Sequence, residues 1–227
     1  MSTYLELTQQ LHRDVGAAGV EPQGVTGLSG EAERLAGWVK EADNYVQLKW
    51  VNWKYLYQQY STPTVASQPT LTKPANLKYW DFKTFRIIEP GDITKNVLEA
   101  VEYDSIKEEI LTPIADIDIP SRAIVLNNNN LQFDPVPDDA YTIEADYYDK
   151  PTLLAANADE SLIPEEYHQV IIGRAMILYA NFENAPEIKD QGEEIYIEQL
   201  ALLENDQLPN LQHSRFNTGA RIEVIAQ

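Results

Sequence analysis

Glu165-Glu166-Tyr167-His168 sets four titratable side chains in a row. A general acid/base pair needs two titratable groups driven apart in pKa within a shared cleft. Pro164 before the run and a helical pattern after it supply a simpler account. Both glutamates then occupy a helix first turn, where the dipole favours carboxylates. Asp116 and Asp118 share one face of an extended run, but two carboxylates fall far short of the ~6–8 oxygens that Ca²⁺ takes. A solvated strand face is expected there. His12, His168 and His213 lack the spacing of a paired-histidine zinc helix. Gly27-Leu28-Ser29-Gly30 lacks the register of a nucleophile elbow, and Ser29 reads as a helix cap. No phosphate loop or dinucleotide fingerprint occurs. The chain contains no Cys, which removes thiolate catalysis, disulfide frameworks and Cys-ligated metals. The expectation is a non-enzyme with no cofactor and no metal. The aromatics Trp38, Trp50, Trp53, Tyr55, Tyr57 and Tyr60 remain, as a sugar platform or as core and subunit contacts. Their surplus over what one small core needs favours oligomerisation, with Trp38, Trp50, Trp53 and Tyr57 as the inter-subunit candidates.

The elements that would position these residues change character twice. Thr3 with Glu6 is a capping box, followed by an apolar stripe at Leu5, Leu7, Leu11 and Val15 that Gly16 and Gly19 stop. Leu35, Val39, Ala42, Val46, Trp50, Trp53, Tyr57 and Tyr60 recur at the helical period and predict one long helix ending before Thr62-Pro63. Prolines then crowd the chain from Pro63 to Pro151, which forbids long helices. Strand-like runs lie between them at 79–82, 85–88, 123–126, 131–133 and 141–148. Leu98 to Leu111 has room for a short helix. Asn127 to Asn130 reads as a hairpin turn, because Asn tolerates left-handed backbone. Helical patterns return at Val170, Ile171, Arg174, Ile177, Leu178 and Phe182, and at Ile188, Ile195, Leu202 and Leu203. The short joint at Ala185-Pro186 predicts an antiparallel pair. The resulting class is α+β: an antiparallel helical bundle (1–60 and 160–206) with an inserted small antiparallel β-domain (61–159) and an extended C-terminal tail (207–227).

Charge narrows the function. The 227 residues hold 36 acids and 17 Lys plus Arg, a net −19. That excess argues against nucleic-acid binding by counterion release. Apolar runs are far too short to span a membrane, and no signal-peptide pattern opens the chain, so a cytoplasmic origin is expected. Residues 156–206 hold 12 acids and 2 bases, whereas residues 207–227 hold 1 acid and 2 bases. The tail alone escapes the acid excess.

Several stretches resemble head-to-tail adaptor (connector, or neck) proteins of tailed bacteriophages. They are Ser2-Thr3-Tyr4-Leu5-Glu6-Leu7, and Gly27-Leu28-Ser29-Gly30-Glu31 through Arg34-Leu35 and Trp38-Val39. Phe133-Asp134-Pro135 with Pro137-Asp138, and Tyr141-Thr142-Ile143 through Asp146-Tyr147-Tyr148, follow. Ile163-Pro164-Glu165-Glu166-Tyr167-His168, Ala175, Tyr179-Ala180 and Leu208-Pro209 continue in the same order. The match is weakest between residues 61 and 122. The resemblance implies a structural virion protein in the neck, forming a ring of twelve subunits that binds the portal protein. Such a ring lengthens the DNA channel and offers tail or nozzle proteins a platform. DNA would pass without tight binding, since like charge prevents adhesion. The C-terminal segment would dock on the portal, with Arg215, Phe216, Arg221, Ile222, Val224 and Ile225 as its contacts. Another virion ring, such as a tail-tube or tail-completion protein, is the nearest alternative. A carbohydrate-binding or hydrolytic module is the alternative from a different class.

Overall fold

The computed structural model describes residues 2–108 and 116–209. The helices are α1 (Tyr4–Asp14), α2 (Glu31–Lys49), α3 (Tyr103–Ile106), α4 (Gln169–Glu183) and α5 (Pro186–Gln207). The strands are β1 (Tyr57–Pro63), β2 (Thr70–Leu71), β3 (Leu77–Ile88), β4 (Asn96–Val97), β5 (Glu99–Glu102), β6 (Ile117–Asp118), β7 (Arg122–Val125), β8 (Leu131–Asp134), β9 (Val136–Pro137) and β10 (Thr142–Asp149). One-turn 3₁₀ helices occupy Lys54–Leu56 and Glu165–Tyr167. The class is α+β. The chain divides into two compact units, Met1–Tyr55 with Pro151–Gln227, and Leu56–Lys150.

In the first unit the capping box of α1 forms as its residues dictate: Glu6 N–H donates to Thr3 Oγ1, and Thr3 N–H donates to Glu6 Oε2. Gly16, at φ +61, takes the left-handed conformation that stops the helix. Leu7, Leu11 and Val15 are buried with Tyr4, whose hydroxyl donates to Ala36 O at 2.7 Å. Leu5 lies only half-buried. The N-cap of α2 is Gly30 rather than Ser29, and its positive φ of 66 suits glycine. That helix stops at Lys49, a turn and more before the aromatic periodicity does. Trp50 is already extended, Trp53 follows in irregular backbone, and Tyr57 and Tyr60 stand in β1. The long helix expected to end before Pro63 is thus two elements. Pairing β1 with β10 along seven residues satisfies more backbone than a frayed aromatic helix end would.

Nine of fifteen residues of α4 are buried, including Ile172, Ala175, Met176 and Tyr179 outside the expected stripe. Phe182, expected inward, is exposed. On α5, Leu200 and Leu203 are buried, but Leu202, also expected inward, is half exposed. The two helices run antiparallel: Gly173 lies against Tyr196 and Gly192, while Ala180 lies at the joint with Ala185. Side chains are missing at that contact by necessity. A Cβ on Gly173 would sit 2.7 Å from Tyr196 N, and one on Gly192 would sit 2.9 Å from Met176 Cβ.

The second unit holds two four-stranded sheets, ordered β1-β10-β3-β4 and β2-β8-β7-β5, and a two-stranded pair β6-β9. One apolar core draws on both larger sheets: Trp80, Phe85 and Ile143 from the first, Ala123, Leu131 and Phe133 from the second. The expected purely antiparallel arrangement is not what forms. The β5–β7 and β6–β9 pairs are parallel. Runs 79–82 and 85–88, read as separate strands, are one strand with a bulge opposite Ala145. There Thr84 Oγ1 accepts from Asp146 N–H at 2.8 Å, replacing a ladder bond. The turn between β7 and β8 closes as predicted, with Asn129 at φ 64 and Leu126 N–H donating to Asn130 O. Residues 99–102, inside the segment read as a short helix, are strand, and among its described residues only α3 is helical.

Two glycines of the first unit should respond in opposite ways to alanine. Gly173→Ala should destabilise by about 1–3 kcal/mol, because backbone must move to admit the methyl. Gly37→Ala on α2, with nothing within 4 Å, should stabilise by roughly 0.5–1 kcal/mol. Urea unfolding of both variants checks the pair of signs.

Candidate interaction surfaces

The sequence candidates for chemistry do not converge. Glu165 and Glu166 are exposed, whereas His168 is buried, with its Nε2 2.9 Å from the carbonyl of Ile163. A carbonyl only accepts, so Nε2 carries the proton. Burial pushes the imidazole pKa below its ordinary value and keeps it neutral. Asp116 and Asp118 are both exposed at the edge of β6. Among the described residues no three His, Asp or Glu side chains gather as a metal site would require. His213 and the tail residues Arg215, Phe216, Arg221, Ile222, Val224 and Ile225 lie outside the described residues.

The four aromatics expected between subunits occupy different places. Trp53 is wholly buried, stacked on Tyr55 at 5.5 Å, and offers no surface to another subunit. This corrects its reading as part of a long helix and as an inter-subunit contact, since it follows the end of α2 and is already covered within one chain. Trp38 packs edge-on against Tyr179 of α4 at 5.7 Å and beside Phe182. Trp50 is 42% exposed, and its indole N–H donates to Glu204 Oε1 at 2.8 Å. Tyr57, on β1, meets Tyr148 of β10 edge to face.

Apolar surface instead gathers at the end of α2. Tyr45, Leu48, Trp50 and Val51 are all exposed by two fifths or more. Glu41, Asn44, Tyr45 and Leu48 fall three or four residues apart, so they share one face, and with Lys49 they border a cavity of about 290 Å³. The patch is braced from behind. Arg174 of α4 lies 4.2 Å above the Tyr45 ring, and Lys49 pairs with Glu204 of α5 at 3.5 Å. Buried aromatic and arginine anchors are the usual currency of protein interfaces. Beyond it, α5 is strongly acidic: Glu187, Asp190, Glu194 and Glu198 are exposed on one stripe. Like charges at that spacing cost the isolated helix a few tenths of a kcal/mol per pair, roughly 0.2–0.5.

Sequence reasoning missed one polar cluster. Asp43, Gln47 and Ser161 are buried together. Asp43 Oδ1 accepts from Ser161 Oγ at 2.5 Å and Oδ2 from Gln47 Nε2 at 2.7 Å. Ser161 Oγ in turn accepts from Ile163 N–H at 3.1 Å. The cluster ties α2 to the segment leading into α4. Burial pushes Asp43 up to about 6, against the pull of its two hydrogen bonds. Burial, with the Asp43 charge behind it, also pushes the Tyr55 phenol up. The signal was legible in principle: Asp43 and Gln47, four apart, interrupt an otherwise apolar helix face. Among the described residues no histidine is bonded to Ser161, so no base of the kind that activates a serine nucleophile is seen beside the hydroxyl.

A family model described as SU10 adaptor protein matches residues 2–222. No curated protein matches the chain. No helix among the described residues is long and apolar enough to cross a membrane.

Asp43 predicts a pH dependence of known sign. Its folded pKa of about 6 exceeds the unfolded value near ~4, so the folded state holds the proton more tightly. That stabilisation is complete below pH ~4 and is lost as pH rises to about 6. A shift of about two units corresponds to about 3 kcal/mol. The stability of the native protein minus that of Asp43→Asn should therefore fall by on the order of 2–3 kcal/mol between pH ~4 and ~6 and then level off. Urea unfolding across that range measures it, and parallel curves would remove Asp43 as the cause.

Proposed function

The chain belongs to the SU10 adaptor protein family, and on that footing we propose that it forms the head-to-tail adaptor ring of a tailed phage. In this reading it is a structural virion protein of the neck and not an enzyme. It binds the portal as a ring of twelve subunits, lengthens the DNA channel and carries tail or nozzle proteins. The observation that carries the reading is the family match along nearly the whole chain, from α1 into the tail.

The physical features fit such a part. The helices of the first unit act as a bundle whose exposed patch at Tyr45, Leu48, Trp50 and Val51 serves contacts between subunits, with Trp38 and Tyr57 as further candidates. A heterologous contact of this kind closes into a ring when its rotation allows. A net −19 per subunit opposes association of free copies, so the portal acts as the template. The same charge suits a channel wall from which DNA must slip. The segment 207–227, with 2 bases and 1 acid, is free of that repulsion and is assigned to the portal through Arg215, Phe216, Arg221, Ile222, Val224 and Ile225.

Two measurements test this. A chain ending at Pro209 should keep the melting temperature of the full protein and lose binding to rings of the portal protein of the same phage. Undiminished binding by the truncated chain would move the docking role elsewhere. Mixed with duplex DNA at physiological salt, the full protein should give no gel shift at micromolar concentration, because it lacks the clustered cations that release counterions.

A further inference from the structure

A cavity of about 200 Å³ opens in the second unit where several chain segments end together. The parallel strands β5 and β7 run in step, with Glu102 beside Val125, so both bring their C-terminal ends to it. Tyr79 and Phe82 of β3 and Tyr103, next to Glu102, supply ring walls, and Asn127 and Asn129 of the β7–β8 turn complete the rim. The floor is held firmly. Trp80 is buried, its indole N–H donates to Asn129 O at 3.0 Å, and its ring packs on Phe85 at 5.5 Å. Tyr79, by contrast, is 47% exposed and has ring surface to spare.

The polar groups of the rim are unspent. The carboxylate of Glu102 and the side-chain amides of Asn127 and Asn129 have no hydrogen-bond or ion-pair partner among the described residues. Asp104 already faces Lys107 at 3.5 Å. Aromatic faces beside an unopposed carboxylate match a planar cation, which stacks on the rings while it donates hydrogen bonds in the plane. The unit around the cavity adds to the attraction, with 16 acids against 8 bases over residues 56–150. An anion would be repelled. A neutral sugar would meet the same rings and amides without gain from the charge.

We propose that this cavity receives an arginine side chain presented by another protein. Its guanidinium stacks against Tyr79 and donates to Glu102, with the amide oxygens of Asn127 and Asn129 taking the remaining donors. The site belongs to the β-rich unit and is separate from the patch at the end of α2. It gives that unit a contact specific for arginine rather than for positive charge at large, because lysine lacks the planar fork.

The test uses the full chain and the peptide acetyl-Gly-Arg-Gly-amide. The Trp80 indole N–H resonance reports binding, since that group lies against the cavity at Asn129. The arginine peptide should shift it saturably with millimolar affinity. The same peptide with citrulline, the neutral isostere, should bind about tenfold more weakly or worse, and Glu102→Gln should cost the arginine peptide a similar factor. Tyr79→Ala should weaken binding too. Glu102 and Tyr79 are exposed, so both variants should keep the native melting temperature. Equal binding of arginine and citrulline peptides would overturn the proposal. So would undiminished binding by Glu102→Gln, absence of any shift at tens of millimolar, or a shift caused by methyl glucoside and not by the arginine peptide.

Discussion

Helix α4 has almost no free face, and the first unit is arranged around that constraint. A helix buried on most of its circumference must be covered from several directions. Here α1, α2 and α5 do so, which draws the helices before and after a long excursion into one unit. The closest of these contacts, with α5, works because Gly173 and Gly192 remove the side chains that would hold the helices apart. Leucines elsewhere in the interior tolerate small repacking. A backbone-to-backbone approach does not, because no rotamer change can relieve it. The buried Asp43–Ser161 contact then sets where the returning chain joins α2. A buried polar group needs a fixed partner in a way that an apolar one does not, so it specifies position more sharply than it adds stability.

The second unit solves a different problem. Its prolines and short strands leave few long ladders, and the core is built by residues from two sheets that meet over Trp80, Phe85, Phe133 and Ile143. The bulge in β3 lets Trp80 and Phe85 both face inward although five residues separate them in sequence. Without the irregularity the two-residue alternation would turn one of them to solvent. The parallel register of β5 and β7 has a consequence of its own, since it brings two C-terminal strand ends to the same place and leaves a cavity there.

Charge acts on the scale of the molecule. Both units are acidic, and α5 concentrates seven acids and one base in a single helix. Such a surface stays soluble and resists casual association, so any stable contact has to rest on local features strong enough to offset the repulsion. Two local features qualify: the braced aromatic patch at the end of α2, and the aromatic cavity with its unopposed carboxylate. An adaptor that must assemble only in the right place gains from this combination, because weak general attraction is absent and specific contacts decide where it binds.

The amino-acid sequence by itself determined what depends on neighbours along the chain. The Thr3–Glu6 box, the stop at Gly16, the turn at Asn127–Asn130, the strand run at 141–148 and the antiparallel joint at Pro186 are short-range chemistry, and each forms as read. The class, the acid excess and the family resemblance were legible for the same reason. Tertiary structure decided what depends on distant partners. Helical periodicity runs past Lys49 to Tyr60, yet β10, 79 to 91 residues away, supplies hydrogen bonds that claim Tyr57–Pro63 as a strand. Trp53 continues the helical stripe in sequence, yet it stands beyond the end of α2 and the fold encloses it completely. Parallel pairing, the glycine contact and the Glu102 cavity have no local signature at all. Periodicity records which face of an element is apolar, whereas long-range packing determines which other element covers that face.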